Sequence, residues 1–317
     1  MFKRLLDSFK PNDYQVSLYI NRDKSSFTGS IIINGLLVNE SSSIQLHSKN
    51  LVINSAMIDE VPVSCSHEAY DVLSLSKDQG SFGKGDHVIK LVFTGRIQTE
   101  AMHGIYESRF EHEGQLKKII VTQFESHHAR EAFPCIDEPE AKATFQLTLT
   151  TPEGEPALSN TPSKDSSVKS GRLTTVFEKT PIMSTYLFAF AFGDMHCVEG
   201  KTKDGVVMRT WASTAQPKSW LEYSLNEGIR ILEFFTEYFD TPFPLKKCDQ
   251  IALPDFDAGA MENWGMVTYR EIALLSDPDN RSVSTEQYVS LVVAHELSHQ
   301  WFGNLVTMKW WDDLWLN

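Results

Sequence analysis

The chain has 317 residues, 41% of them hydrophobic and 22% charged, and a formal net charge of −13. That balance describes a globular chain long enough for two domains, and its acidity excludes a nucleic-acid partner, since no basic stripe offsets phosphate repulsion. No stretch approaches the roughly 18 to 20 uninterrupted apolar residues of a membrane helix, so no membrane span is expected. The opening MFKRLLDSFK is interrupted at Asp7 and Lys10 before a signal-peptide core can form, which makes the cytoplasm the expected location. Cys65, Cys135, Cys197 and Cys248 form no CxxC pair and read as reduced thiols.

Up to about Asp204 the chain shows short runs of period-2 alternation separated by turn residues: Tyr14 to Ile20, Ser30 to Val38, His87 to Phe93, Phe145 to Thr151 and Leu173 to Lys179. They predict an antiparallel β-sandwich or saddle as an N-terminal domain over 1–204. From Gln216 to Phe239 the pattern turns helical, with Leu221, Leu225, Leu232, Phe235 and Phe239 near one face and two prolines beyond it. Glu227 inside this helix reads as a solvated residue. A second helix is signalled by Ser284 and Gln287, spaced as a capping box, and should run to about Phe302. Its middle, LVVAHELSHQWF, is apolar on most sides, which predicts a central position. The fold class is therefore α+β, with 205–317 as a second domain.

The chemistry concentrates on that helix. His295 and His299 are four apart, about 40° from each other around the axis at about 100° per residue, so both imidazoles can reach one ion. Glu296 is turned enough to act on a water beside the metal, the general-base role in HExxH peptidases. A pair of core histidines would be the plain alternative, but it leaves an ionisable glutamate in an apolar helix unexplained. A catalytic zinc normally has three protein ligands. After His299 only Asp312 and Asp313 are candidates, and neither sits in a recognisable ligand motif.

HELSHQWFGNLVTMKWWDDLWLN, preceded by PDFDAGAMENWGMVTYRE (Pro254 to Glu271) and by TQFESHHAREAFPCIDEPEAKATF (Thr122 to Phe145), resembles the gluzincin aminopeptidases, the family of the membrane alanyl, puromycin-sensitive and tricorn-interacting enzymes. The resemblance implies a β domain followed by an incomplete thermolysin-like catalytic domain. It also implies one zinc ion (Zn2+), held by His295 and His299, and removal of N-terminal residues from peptides with Glu296 as general base. Gly259, Ala260, Met261, Glu262 and Asn263 match the family's GAMEN segment, whose backbone lies along an extended peptide as an added strand. By the same resemblance Glu262 binds the substrate's free α-amine, with Gln123 and Glu125 completing the pocket, while Phe133, Pro134 and Cys135 support the loop.

The family's third zinc ligand is the glutamate of a WLNEG segment. Eighteen residues follow His299 and the last is Asn317 of WLN, so that ligand is expected one residue beyond. The competing expectation is a catalytically inactive chain that binds peptide or zinc weakly. A leukotriene-hydrolase-like epoxide hydrolase is disfavoured, because that relative carries GGMEN where this chain has GAMEN.

Overall fold

The structure, a computed structural model, describes residues 4–317. The fold is α+β, dominated by strands. Phe9–Asn21 shows why: Tyr14, Val16, Leu18 and Ile20 are buried while Gln15 and Tyr19 face water. A bulge between Pro11 and Asp13 resets the phase of that alternation without losing the partner strand Ser26–Leu37. Around this pair an eight-stranded sheet is assembled from Gly85–Arg96, Val52–Ile58 and Val61–Pro62 on one side and Thr144–Pro152, Arg172–Phe177 and Ser163–Lys169 on the other. Its pairings are antiparallel except for Phe9–Asn21 with Thr144–Pro152, which run parallel. That exception brings Tyr14 beside Phe145, their rings stacked 4.8 Å apart.

Phe133 and Phe188 join the same aromatic cluster, and Tyr14 Oη accepts a hydrogen bond of 3.1 Å from the Ile136 amide. The loop that follows the strand Gln115–Gln123 is thereby fixed to the β core from beneath. Phe133, Pro134 and Cys135 are buried there and face the core. Arg130 donates to Asp137 at 3.0 Å and Arg4 to Glu138 at 2.8 Å, so the acidic end of the loop is held by ion pairs.

The second half is a five-stranded sheet with two helices. The sheet takes its first strand from Met195–Lys201, ahead of the change of pattern near Asp204, and continues through Val207–Ser213, Lys247–Leu253, Met266–Arg270 and Ala260–Met261. Ala260–Met261 is an edge strand, paired on one side only. The turn after it needs Gly265: its φ is +73°, and a Cβ there would lie 2.5 Å from the Asn160 carbonyl oxygen. Helix α1 (Glu222–Tyr238) buries Leu225 and Leu232, and helix α2 (Val283–Ser298) packs beside it.

Several helix expectations change. The N-cap of α2 is Ser282, whose Oγ accepts from the Thr285 amide at 3.2 Å, and Ser284 lies inside the first turn. The helix stops at Ser298 instead of Phe302, because the chain turns at His299 to bring the Phe302 carbonyl back to that imidazole. Only one side of α2 is covered: Val289, Val293 and Leu297 are buried, whereas Leu291 is 67% exposed. Glu227 is not simply solvated. It is half-buried, pairs with Arg230 at 2.6 Å, and accepts from Ser290 Oγ at 2.9 Å, tying α1 to α2. The cysteines are all free, two of them buried.

Candidate active site

The end of α2 presents His295 and His299 on one face, as the i, i+4 spacing requires. Their Nε2 atoms are 3.1 Å apart and the rings are nearly perpendicular, at 89°. His299 Nδ1 lies 3.0 Å from the Phe302 carbonyl, so that nitrogen carries the hydrogen and Nε2 turns its lone pair toward His295. Two ring nitrogens this close need a proton or a cation between them. Two nitrogens each about 2.0–2.1 Å from one tetrahedral ion would be about 3.3 Å apart, close to what is found. Burial depresses the pKa of both imidazoles, in His295 reinforced by the His299 charge and in His299 only partly offset by Phe302 and Glu125, which keeps both in the neutral, ligating form. The residues present fit a zinc ion.

Three carboxylates converge on this pair from three parts of the chain. Glu296 comes from α2, is 5% exposed, and has one oxygen, Oε2, buried without a hydrogen-bond partner. Burial and the charges of Glu262 and Glu125 push its pKa up to about 9. Glu125 lies just beyond the strand Gln115–Gln123; burial and Glu262 push it up to about 7, against a smaller opposing pull from His299. Glu262 follows the edge strand Ala260–Met261, and burial raises it too, despite hydrogen bonds that lower it. Among the described residues none of the three forms an ion pair. The centre is a largely buried cluster of carboxyl groups without cations, pushed toward their neutral forms by burial and by one another.

Gln123 ends the strand Gln115–Gln123, two residues before Glu125. It is 8% exposed, and its Oε1 is buried with no partner. In the GAMEN segment the five residues divide. Met261 points into the core, and Asn263 donates to Thr268 Oγ1 at 3.2 Å, bracing the turn. Gly259 is exposed and Ala260 half-buried at the open edge. Asp312 and Asp313 are both exposed. Among the described residues, no third His, Cys, Asp or Glu joins His295 and His299 in a set tight enough to enclose an ion.

Several supporting residues were not singled out from the sequence. Asn304 Nδ2 donates to the Glu262 carbonyl at 2.8 Å, and Gln300 Nε2 donates to the same oxygen at 3.3 Å and to the Glu296 carbonyl at 3.1 Å. Together they lock the edge strand to the end of α2. Their signal was present in the sequence, as polar amides in an otherwise apolar run after the second histidine. Asn317 donates to Glu262 Oε1 at 2.8 Å. Tyr186, buried with its hydroxyl on the Gly303 carbonyl at 3.1 Å, has its pKa raised well above the ordinary value by burial and by Glu262 and Glu125. Nothing in its apolar stretch, MSTYLFAF, announced this.

Residues 10–187 match the peptidase M1 N-terminal domain, and residues 223–317 match the peptidase family M1 domain. The chain belongs to the M1 peptidase family. It is 48% identical over 318 residues to an aminopeptidase N of Lactococcus lactis subsp. lactis, covering 99% of this chain and 36% of that protein. An aminopeptidase N of Lactobacillus helveticus is 44% identical over 321 residues, with 99% and 36% covered. Aminopeptidase M1 of Arabidopsis thaliana is 42% identical over 316 residues, with 97% and 36% covered. This M1 chain thus spans about a third of the length of these relatives.

Proposed function

We propose that the chain supplies the amine-binding and metal-binding face of a zinc-dependent aminopeptidase that acts in the cytoplasm on peptides with a free N-terminus. The observation that carries this reading is the meeting of Glu125, Glu262 and Glu296 beside the His295–His299 pair, with a buried oxygen of Glu296 left without a partner. His295 and His299 would hold the zinc, which as a Lewis acid polarises the scissile carbonyl when bound. Glu262, Glu125 and the orphaned Gln123 Oε1 offer acceptors for an α-ammonium group, and charge-assisted hydrogen bonds to it would set which peptide bond is presented. Glu296 Oε2 would be the acceptor for the proton of the attacking water once a cation held by His295 and His299 draws its carboxyl back to the ionised form. The unpaired side of Ala260–Met261 can take an extended peptide as a further strand. A Cβ at Gly259 would meet nothing within 4 Å, so the space beside it is open to a substrate backbone.

A second reading, that these residues alone are catalytically inactive, is favoured by the ligand count: two histidines converge, and Asp312 and Asp313 face outward. A chain continued through the family's remaining C-terminal part, third-ligand glutamate included, should cleave aminoacyl fluorogenic peptides and spare their N-acetylated forms. The 317-residue chain in saturating zinc should show no activity above its His295→Ala variant. Equal cleavage of acetylated and free peptides by the extended chain would exclude the exopeptidase reading, and activity of the shorter chain would exclude the second. No helix among the described residues is long and apolar enough to cross a membrane.

A further inference from the structure

We propose that His103, His128 and Glu131 form a binding site for a divalent transition metal ion of the zinc, copper or nickel type, distinct from His295 and His299. His103 precedes the strand Gly104–His112, while His128 precedes and Glu131 ends a short 3-10 turn, Ala129–Glu131. One ligand atom from each of the three lies within 4.8 Å of the others. His103 Nδ1 is 3.0 Å from Glu131 Oε2, and His128 Nδ1 is 3.1 Å from Oε1, with the two imidazoles stacked 4.2 Å apart. A tetrahedral ion with bonds of about 2.0–2.1 Å asks for donor separations of about 3.3 Å. The two nitrogen–oxygen distances, one to each carboxylate oxygen, are about 0.2–0.3 Å short of this. For an ion on Oε2, His128 has to turn from Oε1 and the two nitrogens have to close. The His103 side chain is 38% exposed, and that exposure admits the ion and a completing water.

The donor chemistry selects the class of ion. Two imidazoles and one carboxylate suit zinc, copper and nickel, whereas magnesium and calcium prefer shells of oxygen alone. Glu131 is 5% exposed, and although burial alone would raise its pKa, hydrogen bonds from His128 and Lys49 and their charges hold it at about 2, so the ligand is ionised. Gly104 leaves the space open: with φ at +68°, a Cβ there would stand 3.0 Å from Glu131 Oε2, where the ion would be seated. Lys49 is the competitor, its Nζ 2.9 Å from Glu131 Oε1. A carboxylate has about four lone-pair positions, so Lys49 can stay on Oε1 while the ion takes Oε2, but its charge weakens the site. Because His128 is three residues from Glu125, an ion here would clamp the loop that carries a carboxylate of the centre on α2.

The test uses the whole untagged chain with His295→Ala and His299→Ala, which removes the other histidine pair. Calorimetric titration of the metal-stripped protein with Zn2+ should give one saturable equivalent, and Mg2+ none. His103→Ala, a change at a partly exposed position, should weaken binding by more than about 10-fold, and Lys49→Met should tighten it. Paramagnetic resonance of the Cu2+ form should show hyperfine coupling to two imidazole nitrogens, falling to one in His103→Ala. Absence of saturable binding, or an affinity or spectrum unchanged in His103→Ala, overturns the site. The spectrum of the parent double variant decides the matter even where a further substitution fails to fold.

Discussion

Glu125 and Glu131 stand six residues apart on one loop, and the fold treats them in opposite ways. Glu131 has Lys49 at 2.9 Å and two imidazoles on its oxygens, and its pKa falls to about 2. Farther along the same segment Asp137 and Glu138 are likewise buried against Arg130 and Arg4. Glu125 turns the other way, to Glu262 and Glu296, and its pKa rises to about 7. Buried carboxylates with cations hold the loop on the β core. Those gathered without cations among the described residues are poised for positive charges from outside, an arrangement typical of sites that bind or react.

The sharpest way to break this contrast is through Glu296. In a chain continued through the family's remaining C-terminal part, Glu296→Gln should lower kcat by about 10²- to 10⁴-fold while peptide binding is kept, because the proton acceptor alone is lost. Steady-state kinetics beside equilibrium binding of a peptide would show it. A variant with full turnover would remove Glu296 from the chemistry.

On the paired side, Arg130→Ala strands Asp137, which is 2% exposed, without its cation, leaving the Thr185 hydroxyl donating to Oδ1 at 2.7 Å and the backbone amide of residue 130 to Oδ2 at 3.3 Å. The expected loss in urea unfolding of this chain is about 3 kcal/mol. A loss below about 1 kcal/mol, the range of surface pairs, would mean that the pair does not anchor the loop.

The unpaired side should answer to pH. The folded pKa of Glu125, about 7, lies above its ordinary 4.5. Its contribution is therefore fully favourable below about pH 4.5 and is lost as pH rises toward 7, by no more than about 3 kcal/mol. Urea midpoints taken between pH 5 and pH 8 in the presence of a chelator should fall for the parent and fall less for Glu125→Gln. Identical slopes would contradict the burial of a repelled carboxylate.

The smallest effect belongs to Glu262→Gln, which keeps an oxygen for Asn317 Nδ2 and deletes one repelling charge. Stability should be unchanged or higher by up to about 1 kcal/mol. A clear destabilisation would show that the Glu262 carboxylate is held as firmly as Glu131.

What the sequence determined by itself was local. Period-2 alternation marked the strands, because successive side chains of a strand point to opposite faces. The i, i+4 spacing of His295 and His299 placed both rings on one side of a helix whatever it packs against. The quoted motifs also led to the family to which the chain belongs. Local pattern did not separate Ser282 from Ser284 as the cap, nor end the helix before Phe302, since each depends on where the following chain folds back. Only the tertiary structure decided the order of the eight-stranded sheet, with its one parallel pairing, and the addition of Met195–Lys201 to the second sheet. It alone decided which glutamates of the loop meet lysine or arginine and which meet one another. The reason is physical: a carboxylate's pKa depends on the charges and solvent within a few ångströms, and for Glu125 those come from residues more than a hundred positions away.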